Sequence, residues 1–213
     1  MKDSNNNSIC LHNLRIGDLC ADCGEIVDDK TKLYNALHST DDLKITETMA
    51  IQNDIRRIEE LRKQNKLVLV LDLDQTVLHT TISKDYMEGV DNFVLDGLTY
   101  AVKIRPFFRR MLDLIHDKFE IHVYTMGTKR YAEKICRILD PDKIYFGDRI
   151  ISRSVNNGQY VKTLNRLFCL HENVIILDDR ADVWDYSSNL ILVKPFIFWN
   201  TGDLNDPSQL RKK

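Results

Sequence analysis

Two aspartates one residue apart, Asp72 and Asp74, follow the apolar run Leu67–Leu71 and precede the hydroxyl of Thr76. Such a run reads as a strand buried on both faces, the kind found inside parallel sheets. Open parallel α/β sheets bind ligands at the carboxyl ends of their strands. Two carboxylates held close at that edge repel each other unless a cation or the proton chemistry of a phosphate uses them. The D-x-D-x-T pattern therefore points to metal-assisted phosphoryl chemistry on an aspartate. The plainer alternative is that both acids cap a turn leaving the sheet.

Two further core strands also end in polar residues: residues 120–124 lead to Thr125, and residues 173–177 lead to Asp178-Asp179. In a parallel sheet these ends meet along one edge, and Lys162 lies on the connection between the second and the third. A carboxylate such as Asp72 can attack phosphorus in line and carry the phosphoryl group, dividing one hard hydrolysis into two easier steps. Asp74 is placed to protonate the leaving alkoxide and then take a proton from water. Mg²⁺ prefers one or two carboxylates, waters and a phosphate oxygen, so Asp72 and Asp179 suffice as its side-chain ligands. Lys162 and Thr125 would hold the remaining phosphoryl oxygens. Singly, Thr125 is a strand-end hydroxyl, Lys162 a solvated lysine and Asp178-Asp179-Arg180 a capped turn. Their order behind D-x-D-x-T favours catalysis.

The elements that must carry these residues alternate strand and helix. Residues 79–99 read as irregular or hairpin-like, with turn signals at Gly89, Asp91-Asn92 and Asp96-Gly97. A strand is expected at 100–104 and a helix at 107–118 with Pro106 near its first position. Residues 128–139 form a second helix, 148–153 a short strand, 156–158 a turn, 162–168 a short helix and 190–193 a last strand. This is an α/β, Rossmann-like doubly wound parallel sheet. Upstream, Ile51, Ile55 and Ile58 recur at helical spacing behind Thr46 as N-cap. That helix is expected to pack on the main domain.

With 213 residues, 43% hydrophobic, 29% charged and a net charge of −2, the composition is that of a soluble α/β domain with a small appendage. It carries no general basic field for nucleic acid, no apolar stretch of the ~18–20 residues that span a membrane and no signal peptide at its N-terminus. Five cysteines fit no disulfide framework. Cys136 and Cys169 sit among apolar neighbours as packing residues.

The segments LDLDQTVLHTT (71–81), VKIRP (102–106), HVYTMGTKRYAEKI (122–135), LDPDKIYFGDRIISR (139–153) and VIILDDRADVW (174–184) resemble the haloacid-dehalogenase superfamily of aspartate-nucleophile phosphatases. Within it they are similar to the phosphatases of the RNA polymerase II C-terminal domain, TFIIF-associated branch. The resemblance implies a Mg²⁺-dependent protein serine/threonine phosphatase with Asp72 as nucleophile. It implies Asp74 as acid/base, also giving Mg²⁺ its backbone carbonyl, and Asp179 as a ligand supported by Asp178. It implies Thr125 and Lys162 on the phosphate, and Arg105, Tyr124, Thr128 and Asp148 around the substrate. For Arg105, an ion pair with Asp148 is the equal alternative. The implied partners are the phosphorylated polymerase tail and TFIIF, with no direct contact to nucleic acid or membrane, and the implied location is nuclear. Other readings are a catalytically silent scaffold of the same fold and a small-metabolite phosphatase. Members of this branch carry a BRCT domain after the catalytic one, and none is expected before Lys213.

Cys10-x-His12 and Cys20-x-x-Cys23-Gly24 offer four ligands of the types a structural Zn²⁺ takes. The alternative is cysteines that pack or stay free. The expected organisation is a tail (1–8), a zinc knuckle (9–27), a helical linker (28–66), the phosphatase domain (67–205) and a second tail (206–213).

Overall fold

The computed structural model describes residues 10–35, 42–83, 85–153, 161–167 and 170–199. They fall into two compact units, Met1–Glu59 with Thr163–Leu170 and Glu60–Lys162 with His171–Lys213.

In the first unit, strands β1 (Leu14–Ile16), β2 (Leu19–Cys20), β3 (Leu33–Asn35) and β4 (Leu43–Thr46) form an antiparallel sheet of order β2-β1-β4-β3. β3 and β4 lie where the sequence suggests only a helical linker. Each is too short to show an alternating pattern and exists through its pairing, Tyr34 opposite Ile45 and Leu14 opposite Ile45. Helix α1 (Glu47–Lys63) follows, and Thr46 caps it as expected, its Oγ1 accepting from the Met49 N–H at 3.4 Å. A short 3-10 turn, Leu164–Arg166, stands in place of the helix expected over 162–168.

The second unit is built on β5 (Leu67–Leu71), whose last four residues are all buried. Antiparallel β6 (Leu78–Ser83), β7 (Asp91–Leu95) and β8 (Leu98–Ile104) form a separate sheet of order β6-β8-β7. Asp96 and Gly97, at φ 51° and 77°, make the two-residue turn that joins β7 to β8. Helix α2 (Phe108–Ile115) starts later than expected, because Phe107 is its N-cap at φ 65° and Pro106 lies outside it. Then come β9 (Phe119–Tyr124), α3 (Lys129–Leu139), β10 (Ile150–Ile151), β11 (Val174–Asp178) and β12 (Leu190–Leu192).

β10-β9-β5-β11-β12 is the order of a five-stranded parallel sheet. From β5 the chain builds outward on one side, then returns to build β11 and β12 on the other. β5 is thus the topological switch point, and its carboxyl end is where such sheets bind ligands. Leu69, Leu71, Ile121 and Val123 pack with Phe108, Leu112, Ile135, Leu139, Phe93 and Leu95 into the core that fixes this edge. The turn expected at 156–158 and Cys169 lie outside the described residues. No helix among the described residues is long and apolar enough to cross a membrane.

Candidate active site

The chain leaves β5 with the Asp72 N–H still on the Leu177 carbonyl (3.0 Å), so β5 and β11 deliver their acids side by side. Gln75, at φ 63°, turns the loop, and its N–H bonds the Leu78 carbonyl at 2.7 Å. Thr76 closes it against β11. Its Oγ1 donates to Asp179 Oδ1 (2.9 Å) and accepts from the Asp179 N–H (3.0 Å).

Lys162 has its N–H held by the Val183 carbonyl at 2.7 Å. Its buried Nζ donates to Asp72 Oδ1 (2.5 Å) and Asp178 Oδ2 (2.6 Å). Trp184 Nε1 also donates to Asp178 Oδ2 (2.7 Å), and the Arg180 N–H to Oδ1 (2.9 Å). Asp178 thereby accepts from three donors and holds the lysine. Burial would lower the Lys162 pKa, but the two carboxylates raise it above its ordinary value. Asp72 is pushed up to about 7, first by burial, with Asp178 and Asp74 adding to it and Lys162 opposing. Burial also raises Asp179.

One oxygen each from Asp72, Asp178 and Asp179 lies within 4.8 Å of the others. Three hard carboxylate oxygens gathered this closely fit a small divalent cation such as Mg²⁺. The Asp74 carboxylate is not in that group. It accepts from the Tyr131 hydroxyl at 2.5 Å.

Thr125 is buried, and its Oγ1 accepts from the Gly127 N–H (2.9 Å). Tyr124 has no exposed surface. Its ring meets Trp184 edge-on at 5.2 Å and lies 5.8 Å from Lys162 Nζ, so it packs against the lysine. Thr128 is the N-cap of α3. Arg105 donates to the carbonyls of Gln75 (3.1 Å) and Lys194 (2.6 Å) and stacks on Phe196, while the exposed Asp148 pairs with Lys143 at 2.7 Å. In place of an ion pair between Arg105 and Asp148, the structure has a clamp on the Gln75 loop. Sequence reasoning gives no role to Trp184, Tyr131, Thr80 or Thr76. Thr76 alone has a local signal, as the hydroxyl of D-x-D-x-T.

In the other unit, single ligand atoms of Cys10, His12, Cys20 and Cys23 also lie within 4.8 Å of one another. Cys10 and Cys20 sulfurs are 3.7 Å apart, and Cys23 Sγ is 3.3 Å from His12 Nδ1. A tetrahedral ion with bonds of ~2.3 Å separates two thiolates by about 3.8 Å, so the four residues fit Zn²⁺. His12 turns Nε2 to Glu25 at 3.6 Å, the carboxylate partner that commonly orients a ligating imidazole. The Cys23 N–H, helped by His12, pulls the Cys20 thiol down to about 6, toward the thiolate a metal needs.

Residues 67–211 match the family described as NLI interacting factor-like phosphatase. The chain belongs to that family. It is 50% identical over 205 residues to an RNA polymerase II C-terminal domain phosphatase of Encephalitozoon cuniculi (strain GB-M1), covering 96% of this chain and 50% of that protein. To the Homo sapiens phosphatase of the same name it is 34% identical, covering 96% of this chain and 24% of the relative. The chain therefore spans half or less of these relatives. A solved structure of Fcp1, an essential RNA polymerase II CTD phosphatase, superposes with TM-score 0.65 at 35% identity, over 71% of this chain and 48% of that one. A fission yeast Fcp1 variant bound to beryllium fluoride gives 0.64 at 34% identity, over the same shares. The family and these neighbours bear out the haloacid-dehalogenase-type fold.

Proposed function

We propose that the chain is a Mg²⁺-dependent protein serine/threonine phosphatase. It acts on the phosphorylated heptad-repeat tail of RNA polymerase II through an aspartyl-phosphate on Asp72. The observation that carries this reading is the buried Asp72 whose Oδ1 is taken by Lys162, leaving Oδ2 for attack. The relatives' names supply the substrate.

Asp72 Oδ2 attacks phosphorus as the P–O bond to the serine oxygen breaks, and Asp74 gives its proton to that oxygen. Asp74 then takes a proton from water as the water oxygen attacks phosphorus and the Asp72 O–P bond breaks. Lys162 and Thr125 stabilise the phosphoryl oxygens throughout. Asp72, Asp179 and the Asp74 carbonyl, with Asp178 behind them, would hold Mg²⁺, which neutralises charge between the anionic nucleophile and its anionic substrate. Nuclear location and TFIIF as a partner rest on the family resemblance alone.

The test compares kcat/KM for free phosphoserine and one phosphorylated heptad. Residues flanking the phosphate add binding energy only in the peptide, and a Ser-Pro-rich segment is already semi-extended and loses little entropy on binding. A rise of at least about 10-fold for the heptad is expected. Equal values would overturn the polymerase-tail assignment and favour a small metabolite.

The Cys10/His12/Cys20/Cys23 group is proposed as a structural Zn²⁺ site, four protein ligands leaving no open position for chemistry. Elemental analysis should find about one zinc per chain, lost in the Cys20→Ser/Cys23→Ser protein. Turnover of p-nitrophenyl phosphate should persist in that variant, because Asp72 belongs to the other unit. Zinc-free protein prepared without chelator would refute the site.

A further inference from the structure

Asp74 must exchange a proton with two different oxygens in succession, which requires one carboxylate orientation to be kept through both half-reactions. Among the described contacts, the phenol of Tyr131 meets it directly, 2.5 Å from Asp74 Oδ1 and 2.8 Å from Thr80 Oγ1. A phenol has one proton and an ionised carboxylate only accepts. The arrangement that satisfies all three groups is Thr80 donating to the Tyr131 oxygen and Tyr131 donating to Asp74.

We infer that Tyr131 is a positioning residue for the general acid/base: its bond to Oδ1 holds the Asp74 carboxyl in one orientation for proton transfer to and from the reacting oxygens. The inference rests on the aspartate-nucleophile reading above.

The Tyr131 ring is constrained from several sides. Phe93 and Tyr100, stacked on each other at 4.9 Å, lie against it with centroids 6.1 and 6.0 Å away. Across the ring, a Cβ added to Gly127 would come within 2.6 Å of Tyr131 Cδ1, so only glycine lets that loop approach so closely. The Tyr131 N–H is itself held by Thr128 Oγ1 at 3.3 Å. A core tyrosine needs only one partner, and Thr80 would have sufficed. The second bond, to a catalytic carboxylate, is the feature a packing role leaves unexplained.

The effect is separable by leaving group. A serine alkoxide needs its proton as it departs, whereas p-nitrophenolate is stable without one. kcat/KM reports the steps up to the first irreversible one, here expulsion of that group. Tyr131→Phe is expected to lower kcat/KM on a phosphoserine heptad by about 10- to 100-fold, the weight of a hydrogen bond to a charged group. On p-nitrophenyl phosphate the loss should stay within about threefold, since acid assistance is nearly dispensable there. In an Asp74→Asn background the same substitution should change the heptad rate by less than about twofold, because the group it positions is already silent.

Thr80→Val, which keeps the phenol, should show the same selectivity at about 3- to 10-fold. Equal losses on both substrates, no loss on the heptad, or an undiminished loss in the Asp74→Asn background would each overturn the inference while wild-type turnover stands. Turnover that survives Asp72→Asn would instead overturn the aspartate-nucleophile reading, and this inference with it.

Discussion

Asp72→Asn is expected to lower turnover of phosphopeptide and p-nitrophenyl phosphate alike by on the order of 10⁴–10⁶-fold while the protein stays folded. An amide cannot form the acyl-phosphate, and Asp178 does not replace it, since Lys162, Trp184 and the Arg180 N–H hold both of its oxygens. Beryllofluoride with Mg²⁺ should protect the wild type against thermal unfolding and not the variant. The stability side has a definite sign. Asp72 moves from 3.8 to about 7 in the fold, so the native state binds this proton more tightly than the unfolded chain does. The resulting stabilisation is fully present below about pH 4 and is lost as pH rises toward about 7. Asparagine has no such proton, and it leaves Lys162 with one carboxylate instead of two. At pH 8 the Tm of the variant should therefore equal or exceed that of the wild type. Turnover within 100-fold of wild type would remove Asp72 from the nucleophile's role, and a Tm well below wild type at pH 8 would overturn the account of Asp72 as a crowded buried charge.

How much of this site can be read in advance depends on the range of the interaction. β5 and β11 announce themselves, because a strand buried on both faces is an unbroken apolar run, and the acids at its end follow in sequence. Thr46 is readable for the same reason, since a cap and its helix are local. β3 and β4 are not, because three or four residues carry no period of their own and their order comes from pairing with β1 and each other. Pro106 belongs to the first turn of α2 on propensity, but the chain spends Phe107 in a left-handed conformation before the helix begins. Arg105 misleads through its partner: the sequence leaves a phosphate contact and an ion pair with Asp148 open, yet the guanidinium goes to two backbone carbonyls. Tyr131 and Trp184 complete the machinery from opposite ends of the scale. Tyr131 is 57 residues from the carboxylate it holds, and Trp184 only six from Asp178, yet neither spacing is a recognisable signal. In both, the polar atom that matters is a single donor on an aromatic side chain.

Lys162→Met is expected to cut kcat/KM by about 10²–10³-fold, because a preorganised cation on the phosphoryl oxygens is lost, and to destabilise the fold by about 3–5 kcal/mol at pH 8. The second effect follows from where the ammonium sits. It lies between Asp72 and Asp178, both nearly inaccessible to water, and its removal leaves two buried carboxylates facing each other without a counter-charge. Lys162 opposes the upward shift of Asp72, so in its absence the folded-state pKa rises further above 3.8. The deficit should accordingly be largest above about pH 7 and shrink as pH falls toward about 4, because Asp72 in the fold is then protonated and carries no charge. Lys162→Arg keeps the charge but forces a planar, five-donor fork into the space between Tyr124 and Trp184. Overpacking there should cost about 1–3 kcal/mol without the same pH dependence. Thermal unfolding at pH 5 and pH 8 separates the two causes. A pH-independent deficit in Lys162→Met would mean that packing against the two rings, and not charge, is what the lysine contributes. Retention of wild-type kcat/KM in that variant would take Lys162 out of the catalytic group.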